Sequence, residues 1–222
     1  MSPVRGVICD FGGVLTNPLS EAFAAVQRSS GIPVAALGSA MARVAEADGA
    51  HPLFELETGR MSEADFLDRL ARALEPELGR AVELRGYGEA YFSALVPNTE
   101  LIEYMAALAR RGLRMALLTN NVREWQPRWR AMLPVDDIFP VVVDSAFVGV
   151  RKPDPEIYEL TLERIGLTAP ECVFVDDTDV NCEAAEALGM TAVRFDSTAQ
   201  TIAEVDAALD GSPPATSRGP AA

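Results

Sequence analysis

Lysine is almost absent from this chain: of the 19 basic residues counted in 222, only Lys152 is a lysine. Every other cation is arginine, so a position that keeps lysine is one where the wide guanidinium fork does not serve. A compact point charge on a thin stem suits a single oxyanion in a narrow pocket. Cysteine is scarce too. Cys9, Cys172 and Cys182 are odd in number and lack metal-ligand spacing, which fits free thiols in a reducing compartment and small buried apolar roles. No apolar run approaches the roughly 20 residues needed to cross a bilayer, and the N-terminus lacks the charged-then-apolar pattern of a signal peptide. A cytoplasmic protein without membrane partners is expected. The basic residues face 33 acidic ones, for a formal charge of −14 and a pI near 4.5. Such a balance excludes a nucleic-acid surface, which demands clustered Lys and Arg. A small anionic ligand stays open to a protein that supplies a metal ion.

What is present is a recurring strand-and-helix rhythm. The apolar run 4–9 stops abruptly at Asp10-Phe11-Gly12-Gly13, as a buried strand delivering an acid to a glycine turn. Similar runs at 115–118, 141–143 and 172–175 precede polar residues: the first ends in Thr119-Asn120-Asn121 and the last in Asp176-Asp177. Helix-period segments lie at 100–110, 124–132, 155–165 and 181–188, the last stopped by Gly189. This alternation predicts an α/β fold with a doubly wound parallel sheet, whose ligands bind outside the carboxyl ends of the strands.

Between about residues 17 and 96 the strand signal vanishes. Helical patterns replace it, as over 62–74, where Phe66, Leu67, Leu70 and Leu74 share a face and Ser62 with Asp65 forms an N-cap. The expected organisation is a core of 1–16 plus 97–210, an inserted all-helical cap of 17–96 hinged at Asn17-Pro18 and Pro97-Asn98, and a disordered tail of 211–222 rich in Gly, Pro, Ser and Ala.

Four polar clusters are expected to meet at one sheet edge: Asp10; Thr119 with Asn120; Lys152; and Asp176-Asp177. Their local sequences are Asp10-Phe11-Gly12-Gly13-Val14-Leu15-Thr16, Leu117-Leu118-Thr119-Asn120, Lys152-Pro153, and Val175-Asp176-Asp177-Thr178-Asp179-Val180-Asn181. In this order they resemble the haloacid dehalogenase superfamily, specifically its phosphatase branch with a small helical cap after the first motif. The resemblance covers nearly all of 4–208. The first motif and Lys152-Pro153-Asp154-Pro155 are most similar to the phosphatase-like N-terminal domain of soluble epoxide hydrolases and their bacterial relatives.

The resemblance implies a Mg²⁺-dependent hydrolase acting on a small phosphorylated metabolite, as a monomer or homodimer. It makes Asp10 the nucleophile that forms an aspartyl-phosphate. Asp10, the carbonyl of Gly12 and Asp177 would hold Mg²⁺, with Asp176 nearby or acting through water. The Thr119 hydroxyl and Asn120 amide would bind phosphoryl oxygens, and Lys152 would neutralise the charge shared with Asp10. One position departs from the family pattern. Most such phosphatases carry a second aspartate two residues after the nucleophile, to protonate the leaving group; here that residue is Gly12. Two alternatives stay beside this reading, a 2-haloacid dehalogenase and a non-catalytic phospholigand-binding domain. Asn181 reads either as an N-cap or as an orienting residue near the metal, Asp179 as a turn acid, and His51 as structural or a substrate contact. Trp125 and Trp129, four apart, read as core first and substrate platform second.

Overall fold

In the computed structural model, which describes residues 3–84 and 86–211, the aliphatic runs form five parallel strands. They are β1 (Gly6–Cys9), β2 (Arg114–Thr119), β3 (Val141–Asp144), β4 (Cys172–Asp176) and β5 (Thr191–Arg194), in the order β3-β2-β1-β4-β5. Residues 1, 2, 85 and 212–222 lie outside the described residues, and with them nearly all of the expected disordered tail. Side chains alternate faces along each strand. Val7, Cys9, Met115, Leu117, Val173 and Val175 enter one apolar cluster, while Ile8, Ala116, Leu118, Cys172 and Phe174 enter another. Burial on both faces explains why these runs read as continuous rather than alternating.

Helices cover both faces. Against the first lie α6 (Thr99–Arg110), with Leu101, Met105 and Leu108 inward, and α12 (Thr198–Leu209), with Val205 and Ala208. Against the second lie α10 (Pro155–Ile165), through Ile157, Tyr158 and Ile165, and α11 (Asp179–Ala187), through Ala185. Two one-turn helices, α8 (Val135–Ile138) and α9 (Ser145–Val148), flank β3. The helix expected over 124–132 is broken into a 3₁₀ turn at Arg123–Trp125 and a short α7 (Gln126–Arg130). Pro127 has no N–H to continue a ladder and suits a helix's first turn, so it starts a new helix instead of extending the old one.

The segment between β1 and β2 is helical, as expected: α1 (Leu19–Ser30), α2 (Val34–Asp48), α3 (Pro52–Glu57), α4 (Glu63–Leu78) and α5 (Tyr87–Ser93). Ser62 caps α4, its hydroxyl accepting from the Asp65 N–H at 3.1 Å. Phe66, Leu70 and Leu74, spaced at i, i+4 and i+8, bury themselves against Ile32, Leu37 and Leu56 of the same insert. Each such side chain contributes roughly 1.5–3 kcal/mol, so the insert holds a core of its own.

Its two connections run side by side. Thr16 and Pro97 form an antiparallel bridge. The Asn17 N–H donates to the Val96 carbonyl at 2.9 Å, and the Val96 N–H donates back to the Asn17 side chain at 2.8 Å. No helix among the described residues is long and apolar enough to cross a membrane.

Candidate active site

Register decides which polar residues meet. Cys9 pairs with Leu117 on one side and Val175 on the other, so Asp10 follows at the level of Asp176, its N–H donating to the Val175 carbonyl at 2.9 Å. β1 lies where the chain, having built β2 and β3 on one side, crosses to β4 on the other. A crevice opens at the carboxyl ends beside such a reversal.

Lys152 does not come from a strand end. It lies in the loop between α9 and α10, next to a cis Lys152–Pro153 bond. Its stem reaches back to the crevice, where the side chain is 1% exposed and Nζ sits 2.7 Å from Asp10 Oδ1 and 2.6 Å from Asp176 Oδ2. Burial pulls its pKa down, but the charges of Asp10 and Asp176 more than reverse this, so the ammonium is held protonated. Burial likewise lifts the Asp10 carboxyl above the usual carboxylate range, against the pull of Lys152.

Asn120 explains how the lysine loop is fixed. Its side-chain amide donates to the Lys152 carbonyl at 2.9 Å, and its Oδ1 accepts from the Lys152 N–H at 2.8 Å. This two-way bond ties Asn120, at the crevice wall, to the backbone of the lysine loop. Thr119 is buried at the end of β2 and lines the crevice with Asp10, Gly12, Asn120, Lys152, Asp177 and Asn181.

One carboxylate oxygen each from Asp10, Asp176 and Asp177 lie within 4.8 Å of one another. Three acids against one ammonium, all oxygen donors, make a set that fits a small hard divalent cation. Asp176 is the most constrained: Oδ1 accepts from the Thr178 N–H and from Asn181 Nδ2, both at 2.9 Å. Asn181 is thus an orienting residue and not the helix cap. Asp177 is raised in pKa by burial and then by Asp176. Gly13 makes room for it. With φ at 80° this glycine occupies the left-handed region, and a Cβ there would collide with Asp177 Oδ2. Gly12 has no positive φ, and a Cβ there would first meet the side chain of Leu19, with both methyls at 3.2 Å.

The remaining candidates separate cleanly. Asp179 is exposed and pairs with Arg194, as a turn acid. His51 packs its ring on Phe54 at 4.4 Å and is not part of the crevice wall. Trp129 is core, buried against Phe11, and also borders the cavity. Trp125 lines the cavity, stacked on Tyr91 at 4.9 Å, with its indole N–H donating to Glu63 at 2.8 Å. Sequence reading missed Glu57, whose carboxylate lines the cavity and takes Arg151 Nε at 2.7 Å; nothing local in the helical insert marks it.

These features can be set beside known proteins. A protein named as a phosphatase from Mycobacterium tuberculosis is 30% identical over 220 residues, covering 95% of this chain and 99% of its own. Acyl-CoA dehydrogenase family member 10 of Mus musculus is 27% identical over 208 residues, but this chain spans only 19% of that longer protein. Among solved structures, a HAD family enzyme of Bacteroides thetaiotaomicron in complex with magnesium and inorganic phosphate shares the fold, with a TM-score of 0.63 at 23% identity over 86% of this chain and 93% of that one. The family model for haloacid dehalogenase-like hydrolases matches residues 4–189, and the chain belongs to that family.

Proposed function

We propose that this hydrolase is a Mg²⁺-dependent phosphomonoesterase that works through an aspartyl-phosphate on Asp10. The observation that carries the reading is the buried Lys152 ammonium between Asp10 and Asp176, 2.7 and 2.6 Å away, beside a third carboxylate. In the first step a carboxylate oxygen of Asp10 forms a bond to phosphorus as the bond to the ester oxygen breaks, and the leaving oxygen, with no acid at position 12, takes its proton from solvent water. In the second, water attacks the acyl-phosphate, freeing inorganic phosphate and restoring the carboxylate. Lys152 engages Oδ1 of Asp10, which aligns the other oxygen for attack, and its charge offsets that of the transferring group. The Thr119 hydroxyl donates to a phosphoryl oxygen, and Asn120 holds the lysine loop in register. Asp10, Asp177 and the Gly12 carbonyl would hold Mg²⁺, with Asp176 beside them; when bound, the ion supplies positive charge against the phosphate.

The carboxylate cluster weighs against a 2-haloacid dehalogenase. Three acids with a single ammonium would repel a carboxylate substrate. Asp10→Asn tests the reading: the variant should fold, bind phosphate and release none from phenyl phosphate with Mg²⁺ present. Retained turnover would move the nucleophile elsewhere.

A further inference from the structure

The cavity above Asp10 measures about 650 Å³, room for on the order of 20 water-sized groups. A phosphate fills only its floor. The rest is walled mostly by apolar side chains of the insert, among them Phe23 of α1, Leu37 of α2, Leu67 of α4 and the ring of Tyr91 of α5, on which Trp125 stacks. Most of the carboxyl and amide groups reaching this wall are already engaged, and the Tyr87 and Tyr91 hydroxyls and the terminal nitrogens of Arg151 are the polar atoms left to a ligand. Glu57 takes Arg151, Glu63 takes the Trp125 indole N–H, and Asn121 Oδ1 accepts the Val122 N–H at 2.9 Å. A sugar or nucleoside phosphate would strip water from many hydroxyls here and find few groups to replace it, against a lining that is mostly hydrocarbon.

The mouth gives a second, separate indication. Among the described residues six large hydrophobics are left exposed, and four of them, Phe23, Val34, Phe54 and Val180, line this one cavity, while Val96 and Phe147 lie elsewhere. Exposed apolar side chains gathered at an opening mark a ligand site rather than random surface.

Resting on the phosphomonoesterase reading, we infer that the substrate is the monophosphate of an apolar alcohol, with its phosphate on Asp10 and Lys152 and its hydrocarbon body against α1, α2 and α4. The test is a series of 4-alkylphenyl phosphates, from methyl to octyl, assayed with Mg²⁺, since the leaving group stays nearly constant while the apolar body grows. The kcat/KM should rise about fourfold per methylene, the equivalent of ~0.8 kcal/mol, until the cavity is full. Phe23→Ser and Val180→Ser, at the exposed mouth and with the fold checked by circular dichroism, should each lower that slope. Phosphate release with a flat series, or a hexose phosphate surpassing the octyl ester, would overturn the inference. Should no ester be turned over, the catalytic reading falls first, and calorimetry with alkylphosphonates of increasing length decides this one. Affinity that climbs with chain length sustains the apolar ligand; affinity that does not, or no binding, removes it.

Discussion

Gly12→Asp supplies the acid that the family resemblance implies at this position, and the structure says whether position 12 can take it. The backbone can, because Gly12 is not among the glycines with positive φ, whereas its neighbour Gly13 is. Space is tight but yielding. The new Cβ would lie 3.2 Å from two methyl carbons of Leu19, the flexible end of a side chain that borders an open cavity, so the cost is about 1 kcal/mol, the low end for overpacking. Against this stands general acid catalysis, worth roughly 10²- to 10⁴-fold, or about 2.7–5.4 kcal/mol of activation free energy. The gain wins. Nearby Asp10, Asp176 and Asp177 would also favour the protonated form of the new acid, the form that can donate. The assay is kcat/KM for aryl through alkyl phosphates of rising leaving-group pKa, with circular dichroism to confirm the fold. The wild type should fall steeply as the leaving group worsens, and the variant should recover roughly 10²-fold or more on alkyl esters while changing little on aryl ones. A folded variant with the wild-type slope, or a wild type already flat with chemistry rate-limiting, would show that the missing acid does not limit the rate.

Lys152→Arg should lower kcat nearly as far as Lys152→Ala, roughly 10²- to 10³-fold as for loss of a charge-stabilising donor, because a guanidinium cannot fit between two carboxylates 2.6 and 2.7 Å from Nζ; retained kcat would strip the lone lysine of meaning. Asp177→Ala should weaken Mg²⁺ binding by about tenfold or more, ~1.4 kcal/mol, in a calorimetric titration, and unchanged affinity would place the ion elsewhere. Asp144 gives a test of stability. Its Oδ1 accepts the Ala146 N–H while its Oδ2 is buried without a partner, and burial raises its pKa from 3.8 to about 6. The folded state therefore binds more protons than the unfolded state between those values, and stability is lost as pH rises through them. Relative to the wild type, Asp144→Asn should gain about 1.4 kcal/mol between pH 5 and pH 7.5 in urea unfolding. Any constant cost of the buried amide cancels in that difference, and a difference independent of pH refutes the argument.

The four strands read from sequence are the four with aliphatic runs, and their acid or hydroxyl terminators do gather at one edge. β5 escaped because Thr191–Arg194 holds only one fully buried apolar residue, Val193. Lys152 was legible as a residue and not as a place: its chemistry was visible in composition, but its delivery by a loop pinned to Asn120 depends on a contact across 32 positions. The apolar cavity was hidden for a similar reason. Leu37, Leu67 and Tyr91 look like any helix-core residues, and only the way the insert sits over the sheet turns them toward Asp10. The left-handed backbone belongs to Gly13 and not Gly12, a difference between adjacent glycines that their sequence does not encode separately.

The burial of the chain's sole lysine gives the protein a built-in reporter of its own opening. Amine-directed reagents find no other lysine in the sequence, and the one present is 1% exposed and locked protonated between two acids. In the folded state acylation should stop at the chain's α-amine. A second adduct in a timed pulse then marks a molecule whose crevice has come apart, and its rate of appearance, read by mass spectrometry at one defined residue, measures how often the site dissolves.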